Sequence, residues 1–348
     1  MGVSLAHPFG RLLNGRRRAA GPVRAEPAAG SRAFLYDAEA TDGEVALEAF
    51  QVDQLTAAQL LWVDVTDVGD LPSISATFGL ADETLAAIRE QAAEPAVLVF
   101  DDYVQIAVAT PADRSLVDGP QMLHCLVGAN WVVTVHRQPV EFVEGFHERI
   151  RADSELGRID SRGFLAAILQ EHVTSYLTEL RPIEAELDRL DVRSMTGRME
   201  EEALLRELVR ARIRLTRLRH LLEPHRELYA RLSRSEFVVL SGSTSMAEVE
   251  AVAQLLERVL ESMASTREMI AGSFEIYSTW AAHRTNHLMR RLTIVSVTLL
   301  PPTLIAGVMG MNALPRGFTT TAAFWTSAAA MSSLALFTLT TAWIRNWF

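Results

Sequence analysis

The sequence predicts an α+β body, then long packed α-helices, then a C-terminal two-helix transmembrane hairpin. Three observations carry this expectation. Charge is divided along the chain. The net charge is −10, with 33 basic residues, all arginine, against 43 acids, yet from Asn286 to Phe348 there is no Asp or Glu and only Arg290, Arg291, Arg316 and Arg345. Leucines recur at heptad-like spacing through the middle of the chain. Two uncharged stretches of 20 residues, Leu292 to Met311 and Phe324 to Trp343, follow near the C-terminus. Each is about 30 Å long as a helix, the thickness of a bilayer core.

The first 32 residues hold six arginines and one acid, Glu26. They lack the apolar stretch of a secretory signal and read as a disordered basic arm. From Ala33 the pattern is mixed. Val-rich and aromatic runs at Ala33–Tyr36, Leu60–Val65, Ala96–Phe100, Val104–Val108, Met122–Val127 and Trp131–Val135 predict strands, and Ala81–Ala92 predicts a helix. Nothing in this part has the pattern of a catalytic site. His136 follows a strand with no Ser, Cys or acid motif beside it and is expected to be structural. Cys125 is the only cysteine, which excludes an intramolecular disulfide, a Cys-rich zinc site and an iron–sulfur cluster. The acidic body repels phosphate, so no nucleic-acid partner is expected.

From about Ser161 the period changes to that of helices. Leu180, Ile183, Leu187 and Leu190 are spaced 3, 4, 3, and after a turn near Thr196-Gly197 the spacing returns in Leu208, Ala211, Leu215, Leu218 and Leu222. These are seam positions of long packed helices. A break at Ser241-Gly242-Ser243 precedes Ser245 and Glu248, a capping-box pair. One helix is then expected from Met246 to about Gly310, roughly 100 Å at 1.5 Å per residue. The expected divisions are 1–32 arm, 33–160 cytoplasmic α/β domain, 161–290 helical region, 291–311 first span, 312–323 outer loop and 324–344 second span.

Arginines set the orientation. Arg284, Arg290 and Arg291 precede the first span, Arg345 follows the second, and the loop holds Arg316 alone. The positive-inside bias puts both termini and the acidic body in the cytoplasm of an inner (plasma) membrane protein. On the first span, Asn286, Met289, Thr293, Ser296, Leu300, Thr303 and Gly307 fall within about a 100° sector. Small and polar residues alternating with large apolar ones suit either helix packing or a pore lining with dry constrictions. A pore would require a homo-oligomer, because two spans cannot enclose one.

The span ends in Ile305-Ala306-Gly307-Val308-Met309-Gly310-Met311-Asn312. Gly-Met-Asn closing the first of two C-terminal spans resembles the CorA family of divalent-cation transporters. So do Arg284-Thr285-Asn286, Leu292-Thr293-Ile294-Val295, Pro302-Thr303-Leu304-Ile305-Ala306-Gly307 and Trp131-Val132-Val133-Thr134-Val135-His136. The resemblance implies a homopentameric funnel with no cofactor and no enzymatic activity, whose partners are its own copies, the lipid bilayer and divalent cations. Gly310, Met311 and Asn312 would form the outer selectivity ring. Asn286, Met289, Leu292, Ser296, Leu300 and Thr303 would line the path. The transported ion would be Mg2+, with Co2+ or Ni2+ as further candidates. A ring of neutral oxygens suits Mg2+, which dehydrates reluctantly, because it can bind the water shell without stripping it.

The chain departs from the family pattern in places. Met309 stands where an aromatic residue is frequent, and Ala313–Thr321 carries no acid. Ala87 and Ala251 occupy positions where the family's magnesium sensors have acids, with Glu83, Glu90, Glu248 and Glu250 close by. His283 and His287, spaced i, i+4, are candidate metal ligands together with Glu248 and Glu250. Imidazole pairs suit zinc and can couple protons, so a ZntB-like zinc transporter is the alternative. A membrane-anchored coiled-coil scaffold is the alternative of another class.

Overall fold

The computed structural model describes residues 31–39, 42–47, 52–90, 94–111, 120–150, 160–195, 201–232, 245–310 and 321–344. The turn at Thr196-Gly197, the break at Ser241–Ser243, the side chain of Ser245, Met311, Asn312 and the outer loop lie outside them. The chain divides into two compact units, Met1–Ile270 and Ala271–Phe348.

The first unit is built on a seven-stranded sheet. Its strands are β1 (Arg32–Asp37), β2 (Gly43–Val45), β3 (Gln59–Val65), β4 (Ala96–Val99), β5 (Val104–Thr110), β6 (Gln121–Val127) and β7 (Trp131–Val135). The order is β2-β1-β3-β7-β6-β5-β4. All neighbours are antiparallel except β3 and β7, which run parallel in the centre. The central strands are buried along nearly their whole length. This is why they read as continuous apolar runs rather than alternating ones. β2 escaped the sequence reading: its Gly-Glu-Val has no apolar run.

Short helices flank the sheet: α1 (Leu71–Phe78), α2 (Asp82–Glu90) and α3 (Glu141–Ile150). α1 ends at Gly79, whose φ of 64° is left-handed, a conformation in which a Cβ would be strained. β6 turns into β7 at Gly128. A Cβ there would lie 2.2 Å from the Trp131 ring, so only glycine lets the indole fold over the turn.

The helical layer comprises α4 (Ser161–Met195), α5 (Glu201–Leu222), α6 (His225–Leu232) and the first part of α7 (Ser245–Met309). The heptad seam is as expected. Leu180, Ile183, Leu187 and Leu190 on α4, and Leu208, Ala211, Leu215, Leu218 and Leu222 on α5, are all buried. Each buried leucine contributes about 2 kcal/mol of transfer free energy. α7 adds a third seam: Val249, Val252, Leu256, Val259, Met263, Thr266 and Ile270 alternate at 3 and 4 and are buried.

α7 is a single helix of 65 residues that continues through Pro301 and Pro302. Each proline lacks an N–H, so two carbonyls one turn earlier receive no helical hydrogen bond. α8 (Thr321–Ile344) completes the second unit. α7 and α8 are both long and apolar enough to cross a membrane, and only 6% of the most apolar window in each is buried within the chain.

Candidate conduction path and metal sites

On a helix of about 100° per residue, the burial of α7 from Arg291 onward sorts by angle. Ile294 is buried, and Thr298, Pro301, Pro302, Ile305 and Met309 are half-buried. All six lie within about 100° of arc. α8 lies on this side, because the Thr338 hydroxyl donates to that of Thr298 at 3.2 Å.

The six predicted path residues take the other side. Asn286, Met289, Leu292, Ser296, Leu300 and Thr303 span about 120°, centred roughly opposite Ile294 and its neighbours. All six are exposed, Met289, Leu292 and Leu300 by 59%, 61% and 66%. Ser296, Leu299, Leu300, Thr303, Leu304, Gly307 and Val308 line one shallow groove along this face. Thr293 and Thr303 return their hydroxyl hydrogens to the carbonyls of Met289 and Leu299, which leaves the hydroxyl oxygens as acceptors. Gly310 donates its N–H to Ala306 and ends the helix. The nearest described atom to a Cβ on Gly310 would be the Ala306 carbonyl oxygen at 3.4 Å, so no contact among the described residues demands glycine there.

The four candidate metal ligands are not brought together. Glu250 is exposed and Glu248 half-buried near the start of α7. Burial, then the charge of Asp160, raises the carboxyl of Glu248 above its ordinary range. His283 and His287 lie 33 and more residues further along the helix, both exposed. Glu83 and Glu90 are exposed on α2. Among the described residues no cluster of three or more His, Cys, Asp or Glu is placed to hold a metal ion.

His136 is structural, as expected, but not isolated. β3 and β7 pair in parallel and set Asp64 beside it. His136 Nε2 lies 3.1 Å from Asp64 Oδ1, and His136 Nδ1 lies 2.7 Å from the Gln138 carbonyl. Thr134 donates to Asp64 at 2.6 Å and receives the Trp62 indole N–H at 3.0 Å. Burial alone would raise the Asp64 carboxyl, yet the hydrogen bond and charge of His136, with help from Thr134, hold it lowered. Burial likewise opposes the charge on His136, and Asp64 overcomes it, so His136 is raised. The partner sits 72 residues away in sequence, and no local motif announces it.

A second polar cluster was also hidden. β4 pairs with β5 only as far as Ala107, and the backbone of Ala109 just beyond is closed by side chains. His172 Nε2 and Tyr176 Oη donate to its carbonyl at 2.7 and 2.6 Å, and its N–H donates to His225 Nε2 at 3.1 Å. His225 therefore carries its proton on Nδ1, facing the Leu222 carbonyl. Burial pushes His172 down to about 4 and His225 well below its ordinary value.

The comparisons with known proteins agree with this architecture. A family described as CorA-like Mg2+ transporter protein matches residues 57–345. The cobalt/magnesium transport protein CorA of Thermotoga maritima is 24% identical over 72% of each chain. The complete structure of the CorA magnesium transporter from Methanocaldococcus jannaschii superposes with a TM-score of 0.75 at 19% identity, covering 91% of this chain and 98% of that one. The ZntB cytoplasmic domain from Vibrio parahaemolyticus shares the fold less fully, at a TM-score of 0.56 and 12% identity over 74% of this chain and 99% of that one. The family extends over most of the sequence, its full-length structures share the mixed sheet, the long helix and the C-terminal hairpin, and this chain belongs to the CorA-like Mg2+ transporter family of integral membrane proteins.

Proposed function

We propose that the chain assembles as a homopentamer in the inner membrane, termini in the cytoplasm, and passes Mg2+ down its electrochemical gradient. One observation carries the reading: α8 takes one side of α7, and the exposed small and polar residues lie on the other. Other copies of α7 would cover that face, and copies meeting around an axis would enclose Asn286, Ser296 and Thr303 as polar rings. Met289, Leu292 and Leu300 would form dry constrictions between them, able to close by dewetting.

At the outer mouth, Gly310, Met311 and Asn312 would supply neutral amide and backbone oxygens. Such a ring binds the hydration shell rather than the bare ion. It holds Mg2+ weakly enough for release, which a ring of carboxylates would not. Ni2+ and Co2+ keep similar shells and would follow the same path.

The test is Mg2+ flux into liposomes. Hexaammine cobalt, a mimic of a hydrated dication, should block it, and Asn312→Ala should lower it by an order of magnitude while the protein still elutes as the parent oligomer. Unchanged flux in Asn312→Ala would overturn the selectivity assignment. Zinc flux exceeding magnesium flux would favour a ZntB-like transporter. A monomer or dimer with no flux would favour the scaffold.

A further inference from the structure

We infer that His283 and His287 form a binding site for a transition-metal dication such as Zn2+, set apart from the conduction path. Their i, i+4 spacing puts both imidazoles on one face of α7, one turn apart, the arrangement in which two helical histidines chelate one metal. That face is not the one proposed to conduct. By helical angle the pair is centred about 140° from the middle of the sector holding the six path residues from Asn286 to Thr303, with His283 about 60° from Asn286 at the sector's edge. An ion held there stands beside the path, not in it.

The surroundings select the ligand. No acid lies between Glu275 and the C-terminus, while Arg284, Arg290 and Arg291 flank the pair. The Arg284 guanidinium stacks over the Trp280 ring, 5.8 Å from its centre. A hard cation such as Mg2+ wants anionic oxygens, and none is supplied by this stretch of chain. Zn2+, Ni2+ and Cu2+ bind neutral imidazole through nitrogen lone pairs and tolerate that environment.

The rest of the chain supports the assignment. His124, His136, His147, His172 and His225 are buried in the first unit. Among the described residues only His220, His283 and His287 are exposed histidines, and only the last two are paired on a helix. Neither has a hydrogen-bond or ion-pair partner among those residues, so their ring nitrogens are open to a metal.

The inference does not rest on the conduction reading, since binding is measured without flux. Full-length protein without a polyhistidine tag is titrated calorimetrically with Zn2+ and, separately, Mg2+. Saturable zinc binding is expected in the parent, in Asn312→Ala and in His7→Gln/His220→Gln. It should weaken by an order of magnitude or more in His283→Gln/His287→Gln, whose melting curve and elution should match the parent. Mg2+ should give no signal that the double substitution removes. The proposal is overturned if the parent binds no zinc, if His283→Gln/His287→Gln binds it as the parent does, or if His7→Gln/His220→Gln abolishes it.

Discussion

The two units of this chain treat the same side chain in opposite ways. Leu187 on α4 is 0% exposed and Leu300 on α7 is 66% exposed. Both sit on helices, and both repeat at spacings that mark one helical face. In the first unit the chain supplies its own cover: the seams of α4, α5 and early α7 are closed. In the second it does not, and Leu292, Leu300, Leu304, Phe337 and Trp343 stay open. Exposed apolar area on this scale exceeds what a soluble monomer carries. The contrast separates residues that stabilise a chain from residues that wait for lipid or for other copies.

The largest expected effect exploits that pair of leucines. Leu187→Ala leaves a cavity in a closed seam and should cost about 2–5 kcal/mol. Leu300→Ala removes a side chain with no cover inside the chain and should leave the unfolding of the first unit unchanged. Denaturant unfolding followed by the fluorescence of Trp62 and Trp131, both in the first unit, compares them directly. In liposomes Leu300→Ala should raise basal Mg2+ leak by widening a dry constriction. Equal stability losses for the two substitutions would erase the distinction between the units.

Acid should attack one unit only. His124 and His172 are held at about 4 by burial, against 6.5 for the free imidazole. Between those values the unfolded chain binds more protons than the folded one. Stability is therefore flat above pH 6.5 and falls as pH drops towards 4, by about 3 kcal/mol for each histidine. The Asp64–His136 pair behaves differently. Its contribution through raised His136 is complete below pH 6.5 and fades as pH rises through the folded value. Its contribution through lowered Asp64 is complete above 3.8 and fades as pH falls through that carboxyl's folded value. The pair thus holds while the buried neutral histidines fail. Unfolding midpoints at pH 7 and pH 5 measure this: the fall towards pH 5 should be smaller in His172→Gln than in the parent, and an equal fall in both would overturn the neutral assignment of His172.

What the sequence disclosed follows the same divide. Periodicity is a local signal, so six of the seven strands, the seams of α4 and α5 and both spans were legible, and so was the face bearing Ser296 and Thr303. Asp64 beside His136, and His172 and His225 closing over Ala109, were not legible. Those contacts join positions 63 to 116 residues apart, and only the strand order brings them together. Gly-Met-Asn was legible for a third reason: it is a resemblance, and the described part of it, Gly310, meets no contact among the described residues that demands glycine.

The smallest expected effect tests a hydroxyl pair between the two apolar helices, Thr338 and Thr298. Thr338→Val keeps the shape of the side chain and deletes its donation to Thr298. Hydrogen bonds between membrane helices average about 0.6 kcal/mol, and this one is shared, since the same hydroxyl also approaches the Ala335 carbonyl at 2.9 Å. The loss should therefore be a few tenths of a kcal/mol, too small to move the unfolding of the first unit. Pro301 and Pro302 make the site more sensitive than its energy suggests, because Thr298 sits one turn before them, where the backbone ladder is already broken. Flux should accordingly respond more than stability does. If Thr338→Val leaves both Mg2+ flux and oligomer stability in detergent at parental values, the pair is incidental and the angle of α8 on α7 is set by packing at Ile294 and Ile305 alone.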